Sequence, residues 1–372
     1  MFDTIDVVTK SKSKTPAARP VHIPGTAAKP ITLRDLASHL GLSRSTVSMV
    51  LSNSPVAQGL TPETRERVLK AARELNYKAN YFARMLNNKR SHMVGILSSD
   101  LSEGYNAGLL TAIERHLIAK NYLYFVSSHY WNMSLIRQRL EVFAERGVEG
   151  LILINTPLDA MHSLPVVSIG HWDDDFPISR IVFDNEHGAR LALEHVYALG
   201  HRQIAFFKGH AASSDTDSRW KGFAETARDL GLTICPEHVV QLERIEEGLN
   251  PIREGYIAGE KLLQSKTPFT ALMAFNDLSA IGAINAFRAV GKRIPEDISV
   301  VGFDDVKMAS VFQPALTTVQ QPLTEMGTMA AQEILASIED STLEPRTVVV
   351  QPQLVIRDSC GPCLARFHEL RA

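Results

Sequence analysis

From residue 92 onward the chain alternates short, continuously apolar runs with longer amphipathic stretches, and few folds accommodate that grammar. HMVGILSS, YLYFVSS, VEGLILIN, PVVSIG and RIVFD read as strands, and GLLTAIERHLIAKN and SLIRQRLEVFAERG as helices between them. The series reopens at HRQIAFFKG and runs through HVVQLE, ALMAFN and ISVVGFDD, again with helices between. Strands of continuous Val, Ile, Leu and Phe separated by helices imply parallel sheets covered on both faces. The pattern therefore predicts two similar doubly wound lobes, each about five strands long. Ligands of such sheets bind beyond the carboxyl ends of the strands, so two facing lobes imply a cleft closed by hinge motion.

At 372 residues the chain is too long for one core and long enough for two or three domains. With 45% hydrophobic and 22% charged residues its composition is that of a globular protein. No apolar run approaches the roughly 18 residues of a membrane-spanning helix. The first residues carry no apolar h-region, which argues against a classical secretory signal. Three cysteines, Cys235, Cys360 and Cys363, are too few for a disulfide scaffold and fit a reducing cytoplasm.

The net charge of −2 hides an asymmetry. Residues 1–92 hold 15 Lys and Arg against 6 Asp and Glu, leaving 24 against 35 for the rest. A basic head on an acidic body suggests that the head meets a polyanion, although a solvated basic tail would look the same by charge alone.

The head has a helical grammar. Residues 1–30 read as a disordered leader. In ITLRDLASHLGLS, the residues Leu33, Leu36, Ala37 and Leu40 share one helix face, with Thr32 as N-cap and Gly41 as stop. Ser43 can cap a second helix, RSTVSMVL, and Thr61-Pro62-Glu63 starts a third that runs to about Leu75. Helix, tight turn, helix and a third across both is the helix-turn-helix arrangement. The second helix offers Arg44, Ser45, Ser48 and Met49 on its open face and carries no acid, as a helix entering the major groove requires. An unrelated three-helix module for protein contacts is the alternative. KANYFARMLNNKRSH follows, too short to be stable as a helix alone, a tether or a segment that orders against a partner.

ITLRDLASHLGLSRSTVSMVLSNS and TPETRERVLKAARELNYKANYFARML closely resemble the DNA-binding head and hinge of the LacI-type (lactose repressor-like) transcription regulators. GVEGLILINTPLD, FDNEHGARLALEHVYALGHRQIAFF, SRWKGF, FNDLSAIGAINAFRAVGKRIPEDISVVGFDD and PALTTVQQPLTEMG continue the resemblance over about residues 31–358. It implies an all-α helix-turn-helix head over 31–78, a hinge helix within 79–91, and an α/β core over 92–358 like periplasmic sugar-binding proteins. Lobe 1 would hold about 92–197 and 319–346, lobe 2 about 198–318 and 347–358, with crossings near Ala198, Thr318 and Thr347 and a tail over 359–372. The family's members are dimeric, small-molecule-responsive repressors and, less often, activators.

Carried over by position, the resemblance places Arg44, Ser45 and Met49 where bases are read. Ser43, Thr46 and Ser48 fall where hydroxyls hold phosphates, and Thr32 joins this DNA-facing set. Asn80, Ala83 and Leu86 fall on the hinge helix, whose Leu resembles a minor-groove wedge. Met49 stands where Arg is common, so it implies an apolar contact such as a thymine methyl. Ala79 replaces a frequent Pro, and SSDLSEGYNAG lacks the usual Asn-Pro-Phe-Phe run.

For the cleft the resemblance selects Asp184, Arg219 and Asp277, with Asn155 as a weaker match and Trp220 either stacking on a sugar or packing inward. Carboxylates beside a guanidinium suit a polyhydroxylated ligand. Capping of the helices that begin beside them is the alternative role for Asp184 and Asp277. Cys360-Gly-Pro-Cys363 with His368 imitates part of a zinc site, but only three ligands are local. A dinucleotide loop, a Walker A loop and a nucleophile elbow are absent from the sequence, so neither an enzyme nor a cofactor is expected. The sequence thus predicts a cytoplasmic bacterial regulator, expected to be a repressor. It would act as a homodimer on a pseudo-palindromic double-stranded operator and answer to a small effector, a carbohydrate first, with no membrane partner. The alternative is a solute-binding receptor of periplasmic type without a regulatory role.

Overall fold

A computed structural model describes residues 31–52, 54–77, 90–101, 104–160, 162–170, 176–243 and 250–364. The chain divides into two compact units, Met1–Arg90 and Ser91–Ala372. Among the described residues no helix is long and apolar enough to cross a membrane.

The first unit is built from α1 (Leu33–Leu40), α2 (Arg44–Leu51) and α3 (Pro62–Glu74). Each starts at the hydroxyl cap that the sequence indicates. The Asp35 amide donates to Thr32 Oγ1 at 3.3 Å, that of Thr46 to Ser43 Oγ at 3.0 Å, and that of Thr64 to Thr61 Oγ1 at 3.3 Å. Gly41 ends α1 at φ 66°, a left-handed conformation that favours glycine, and so allows the tight turn into α2. Leu36, Ala37, Val47, Val50, Val68, Ala71 and Ala72 form the core. The connection SNSPVAQGLT holds a short 3₁₀ helix, Pro55–Gly59, whose Ala57 joins that core.

The second unit contains two six-stranded sheets. The first takes β1 (Met93–Ser98), β2 (Leu123–Ser128), β3 (Gly150–Ile154), β4 (Val166–Ile169), β5 (Ser179–Phe183) and β11 (Thr347–Val350), in the order β11-β5-β4-β3-β1-β2. All its neighbours run parallel. The second takes β6 (Ile204–Lys208), β7 (Val239–Gln241), β8 (Ala271–Met273), β9 (Ser299–Asp304), β10 (Thr317–Gln320) and β12 (Gln353–Val355), in the order β12-β10-β9-β8-β6-β7. It is parallel except for β12 against β10. Every residue of β1, β3, β4 and β9 is buried, which is why these strands read as unbroken apolar runs. Two helices of the first lobe, α4 (Tyr105–Ala119) and α5 (Met133–Glu145), connect β1 to β2 and β2 to β3.

Each sheet thus has one strand more than the expected five or so: β11 joins the first, and β10 and β12 complete the second beyond the four runs read in it. The crossings also move. α6 (Asn185–Ala198) packs on the second sheet, where a Cβ on Gly188 would lie 2.8 Å from Phe303 and 3.1 Å from Val319. The first crossing therefore lies beside Asp184 and not near Ala198. Thr318 lies inside β10 and Thr347 begins β11, so the chain leaves the second sheet only after Gln320 and re-enters it after Val350. α11 (Leu323–Glu339) packs against α4 in the first lobe.

The second lobe is completed by α7 (Ser214–Asp229), α8 (Pro251–Leu263), α9 (Asp277–Ala289) and the short α10 (Lys307–Val311). Residues 359–363, expected as a tail, are stitched into this lobe. Val300 N–H donates to the Ser359 carbonyl at 2.9 Å and Cys363 N–H to that of Leu199 at 2.9 Å. Burial pushes the Cys360 thiol up to about 11.

Candidate functional site

The helix-turn-helix surface is a row of donors. On α2, Arg44 and Ser45 are exposed, Thr46 and Ser48 half-buried, and no carboxylate belongs to the helix. Ser43 Oγ pairs with Thr46 Oγ1 at 2.9 Å, so those two hydroxyls present themselves jointly at the start of α2, where N–H groups and the helix dipole favour a phosphate. Thr32 is taken up by α1: its hydroxyl donates to Asp35 Oδ2 at 2.7 Å and its N–H to the same oxygen at 3.0 Å. Met49, expected on the open face, is half-buried and packs on the head core. Asn80, Ala83 and Leu86, with the expected hinge helix, lie outside the described residues.

In the second unit a cleft of about 110 Å³ lies between the lobes, and its lining follows the carboxyl ends of the strands. Ser99 and Asp100 come after β1, Trp131 after β2, Asn155 after β3, His210 after β6, Phe275 and Asn276 after β8, and Asp304 closes β9.

Arg219, on α7 and 3% exposed, is the buried cation of the cleft. Its Nε and Nη2 donate to Asn185 Oδ1 at 3.1 and 2.9 Å, and its Nη1 donates to the Phe275 carbonyl. The guanidinium lies 3.5 Å from the centre of the Phe303 ring and 4.5 Å from that of Phe275. Burial lowers its pKa, and Asp304 and Asp215 push it back up. Asn185 Nδ2 in turn donates to Asp215 Oδ1 at 2.9 Å, so acid, amide and guanidinium form one chain of contacts.

Asp304 is held in a backbone that side chains rarely adopt, φ 108°, followed by Asp305 at φ 56°. Its Oδ1 accepts from Gln321 Nε2 at 2.7 Å. Burial pushes its carboxyl up to about 7, against the pull of Arg219 and the Gln321 hydrogen bond. Tyr105, beside it, is raised well above its ordinary value, first by burial and then by Asp215 and Asp304, and so remains a neutral donor.

Of the five expected cleft residues, the structure places Asn155 and Arg219 in the lining and three elsewhere. Asp184 caps α6, its Oδ1 accepting from the His187 amide at 3.0 Å. Trp220 packs inward, edge-on to Phe206 with ring centres 5.8 Å apart, beneath Lys208. Asp277 is wholly buried under the site: Oδ2 accepts from the Val306 amide at 2.8 Å and Oδ1 from the Thr318 hydroxyl at 2.5 Å. Burial holds its pKa well above the usual carboxylate range. The helix cap there is Asn276, which accepts from the Ser279 amide at 2.8 Å. Sequence reasoning missed Asp100, Trp131, His210, Asp215, Glu254 and Asp304. The rule of strand carboxyl ends pointed to Asp304 as directly as to Asp277, since GFDD ends a strand. For Glu254 and Asp215, on helices, no such signal existed.

Residues 32–80 match the model of bacterial regulatory proteins of the lacI family, and residues 193–360 that of the periplasmic binding protein-like domain. The HTH-type transcriptional repressor PurR of Aliivibrio fischeri is 31% identical over 340 residues, covering 88% of this chain and 98% of that protein. The ribose operon repressor of Haemophilus influenzae is 27% identical over 334 residues, with the same coverage of 88% and 98%. Among solved structures, a lac repressor dimer bound to operator and an anti-inducer superposes with a TM-score of 0.79 at 27% identity, covering 90% of this chain and all of that one. A complex of the transcriptional regulator CelR with cellobiose gives 0.66 at 26% identity, covering 88% and 99%. With a donor-faced helix-turn-helix head, a two-lobed parallel-sheet core and relatives matched over nearly their whole length, the chain belongs to the lacI family of bacterial regulatory proteins.

Proposed function

We propose that this protein is a sequence-specific repressor whose affinity for a pseudo-palindromic operator is set by a small molecule held between its lobes. The observation that carries the DNA half is α2, where Arg44 and Ser45 stand exposed on a helix without acids, behind a hydroxyl cap. Arg offers a bidentate fork to guanine and the hydroxyls offer donors to phosphate. A homodimer supplies two such helices for two half-sites, in keeping with the operator-bound dimer among its structural relatives.

The effector half rests on the cleft, whose buried Asn106 and Asn155 amide oxygens lack a protein donor among the described residues. A hydroxyl-rich ligand, a sugar or sugar derivative, supplies donors to these two oxygens of the first lobe while its other side meets the second lobe's lining, and so favours one lobe spacing over another. A ligand with different affinities for two lobe arrangements shifts their populations, typically by 1–3 kcal/mol of coupling. The protein would work in the bacterial cytoplasm, on the chromosome.

The test is an electrophoretic shift of the full-length protein on DNA upstream of its own gene, at rising salt and with excess non-specific competitor. A specific complex outlasts the competitor and weakens steeply with salt. A metabolite library screened by thermal shift and then added to the same assay should yield a ligand that moves operator affinity. Equal affinity for operator and competitor DNA at every salt concentration refutes the proposal.

A further inference from the structure

The cleft holds a carboxylate that its own chain only half satisfies. Glu254, in the first turn of α8, is 3% exposed. Its Oε2 accepts from His210 Nε2 at 3.0 Å, while its Oε1 is buried without a hydrogen-bond partner among the described residues. The Asn106 and Asn155 amide oxygens, from the opposite lobe, are buried and open in the same way. The backbone beneath Glu254 is fixed. A Cβ on Gly255 would collide with the Ser279 carbonyl and one on Gly282 with that of Ile252, so α8 and α9 lie in backbone contact. A buried acceptor left open costs about 1–3 kcal/mol, and more when it is charged, so these three oxygens describe a place for a donor.

Charge decides which donor. Asp100, Asp215 and Glu254 line the cleft, against Arg219 and His210. Arg219 already directs three of its five N–H donors to neutral oxygens of Asn185 and Phe275. An anionic ligand would enter against this field, and a nitrogen cation along it. Trp131 adds an aromatic ring to the lining, and such rings attract cations.

We propose that the effector is an amino sugar whose protonated amine donates to Glu254 Oε1 while its hydroxyls donate to Asn106 and Asn155. The assignment rests on the cleft being the effector site and narrows that reading to one chemical class. It makes Glu254 a specificity-determining residue, and the preference is for charge as well as shape.

The test uses the full-length protein and a matched panel: 2-, 3-, 4- and 6-amino derivatives of the common aldoses, each beside its N-acetyl form and its parent sugar, with the 6-phosphates added. Calorimetry should find at least one amine that binds ten-fold or more tightly than both its N-acetyl form and its parent. Glu254→Gln should abolish that preference. Glu254→Asp, which keeps the charge but withdraws it by one methylene, should weaken the amine ten-fold and the N-acetyl form by clearly less, which serves if the first variant folds poorly. Binding of no amine, or of parent sugars or phosphates as tightly as of any amine, overturns the proposal. A parent sugar that binds as tightly as any amine and shifts operator affinity overturns the amine assignment while leaving the cleft reading intact. An amine that binds without moving operator affinity upholds the amine assignment and refutes the regulatory one.

Discussion

Asp304→Asn should change how the protein's stability depends on pH, in a direction fixed by where this carboxyl sits. The group titrates near 3.8 in an exposed chain and is pushed up to about 7 by burial in the cleft. Over that interval the folded protein keeps a proton that the unfolded chain has released. Stability from this group is therefore complete below about pH 4 and lost as pH rises through about 7. The gap of roughly 3 pH units, at about 1.4 kcal/mol each, sets an upper limit of roughly 4 kcal/mol. Between pH 5 and 8 the loss is about 3 kcal/mol, or about 6 °C in Tm for a body of this size. His129 works in the opposite sense, since burial lowers it to about 4 and its contribution grows as pH rises. The wild-type curve mixes the two, so the informative quantity is the difference between variant and wild type. Melting curves of both at half-unit steps from pH 4.5 to 8.5 should show equal stability at the acid end and a variant that is more stable at the alkaline end. A difference that stays flat, or a variant less stable at pH 8, would mean that Asp304 is ionised throughout and held so by Arg219.

Arg44→Ala should cost about 1–3 kcal/mol of operator affinity, a loss of roughly 5- to 150-fold, and should relax preference at one base pair; competition shifts with point-mutated operators read this directly. Leu36→Ala removes a fully buried side chain from a head with few others, so a loss of about 2–5 kcal/mol should unfold the head and end operator binding, while the main melting transition of the core stays in place. Asp277→Ala strips the Val306 amide and the Thr318 hydroxyl of their acceptor, so chemical denaturation should show about 1–3 kcal/mol lost per orphaned group, and unaltered stability would contradict its structural role.

The head was legible because its information is local. Thr32, Ser43 and Thr61 each cap the helix that follows within three residues, and Leu36, Val47, Val50 and Val68 recur at helical spacing around one small core. Met49 shows the limit, since whether a residue at the edge of a stripe faces solvent depends on its neighbours in space. In the core, the buried strands announced themselves by composition. The sixth strand of each sheet did not, because TVVVQPQLVIRD reads as one run broken at Pro352, and nothing in it says that the two halves join different sheets.

Sequence alone determined that this chain builds a donor-faced helix-turn-helix and two parallel-sheet lobes, since short-range periodicity, caps and continuous apolar runs are enough to specify those elements. It also determined that a cleft should open at the strands' carboxyl ends, which follows from parallel topology itself. Tertiary structure alone decided which side chains face that cleft. Asp184, Trp220 and Asp277 had the right chemistry and turned to capping, packing and bracing, whereas Trp131, Glu254 and Asp304 were brought in from three separate stretches of chain. A strand end fixes where a residue sits along the chain. The direction of its side chain, and the burial that moves its proton affinity, depend on neighbours supplied by both lobes.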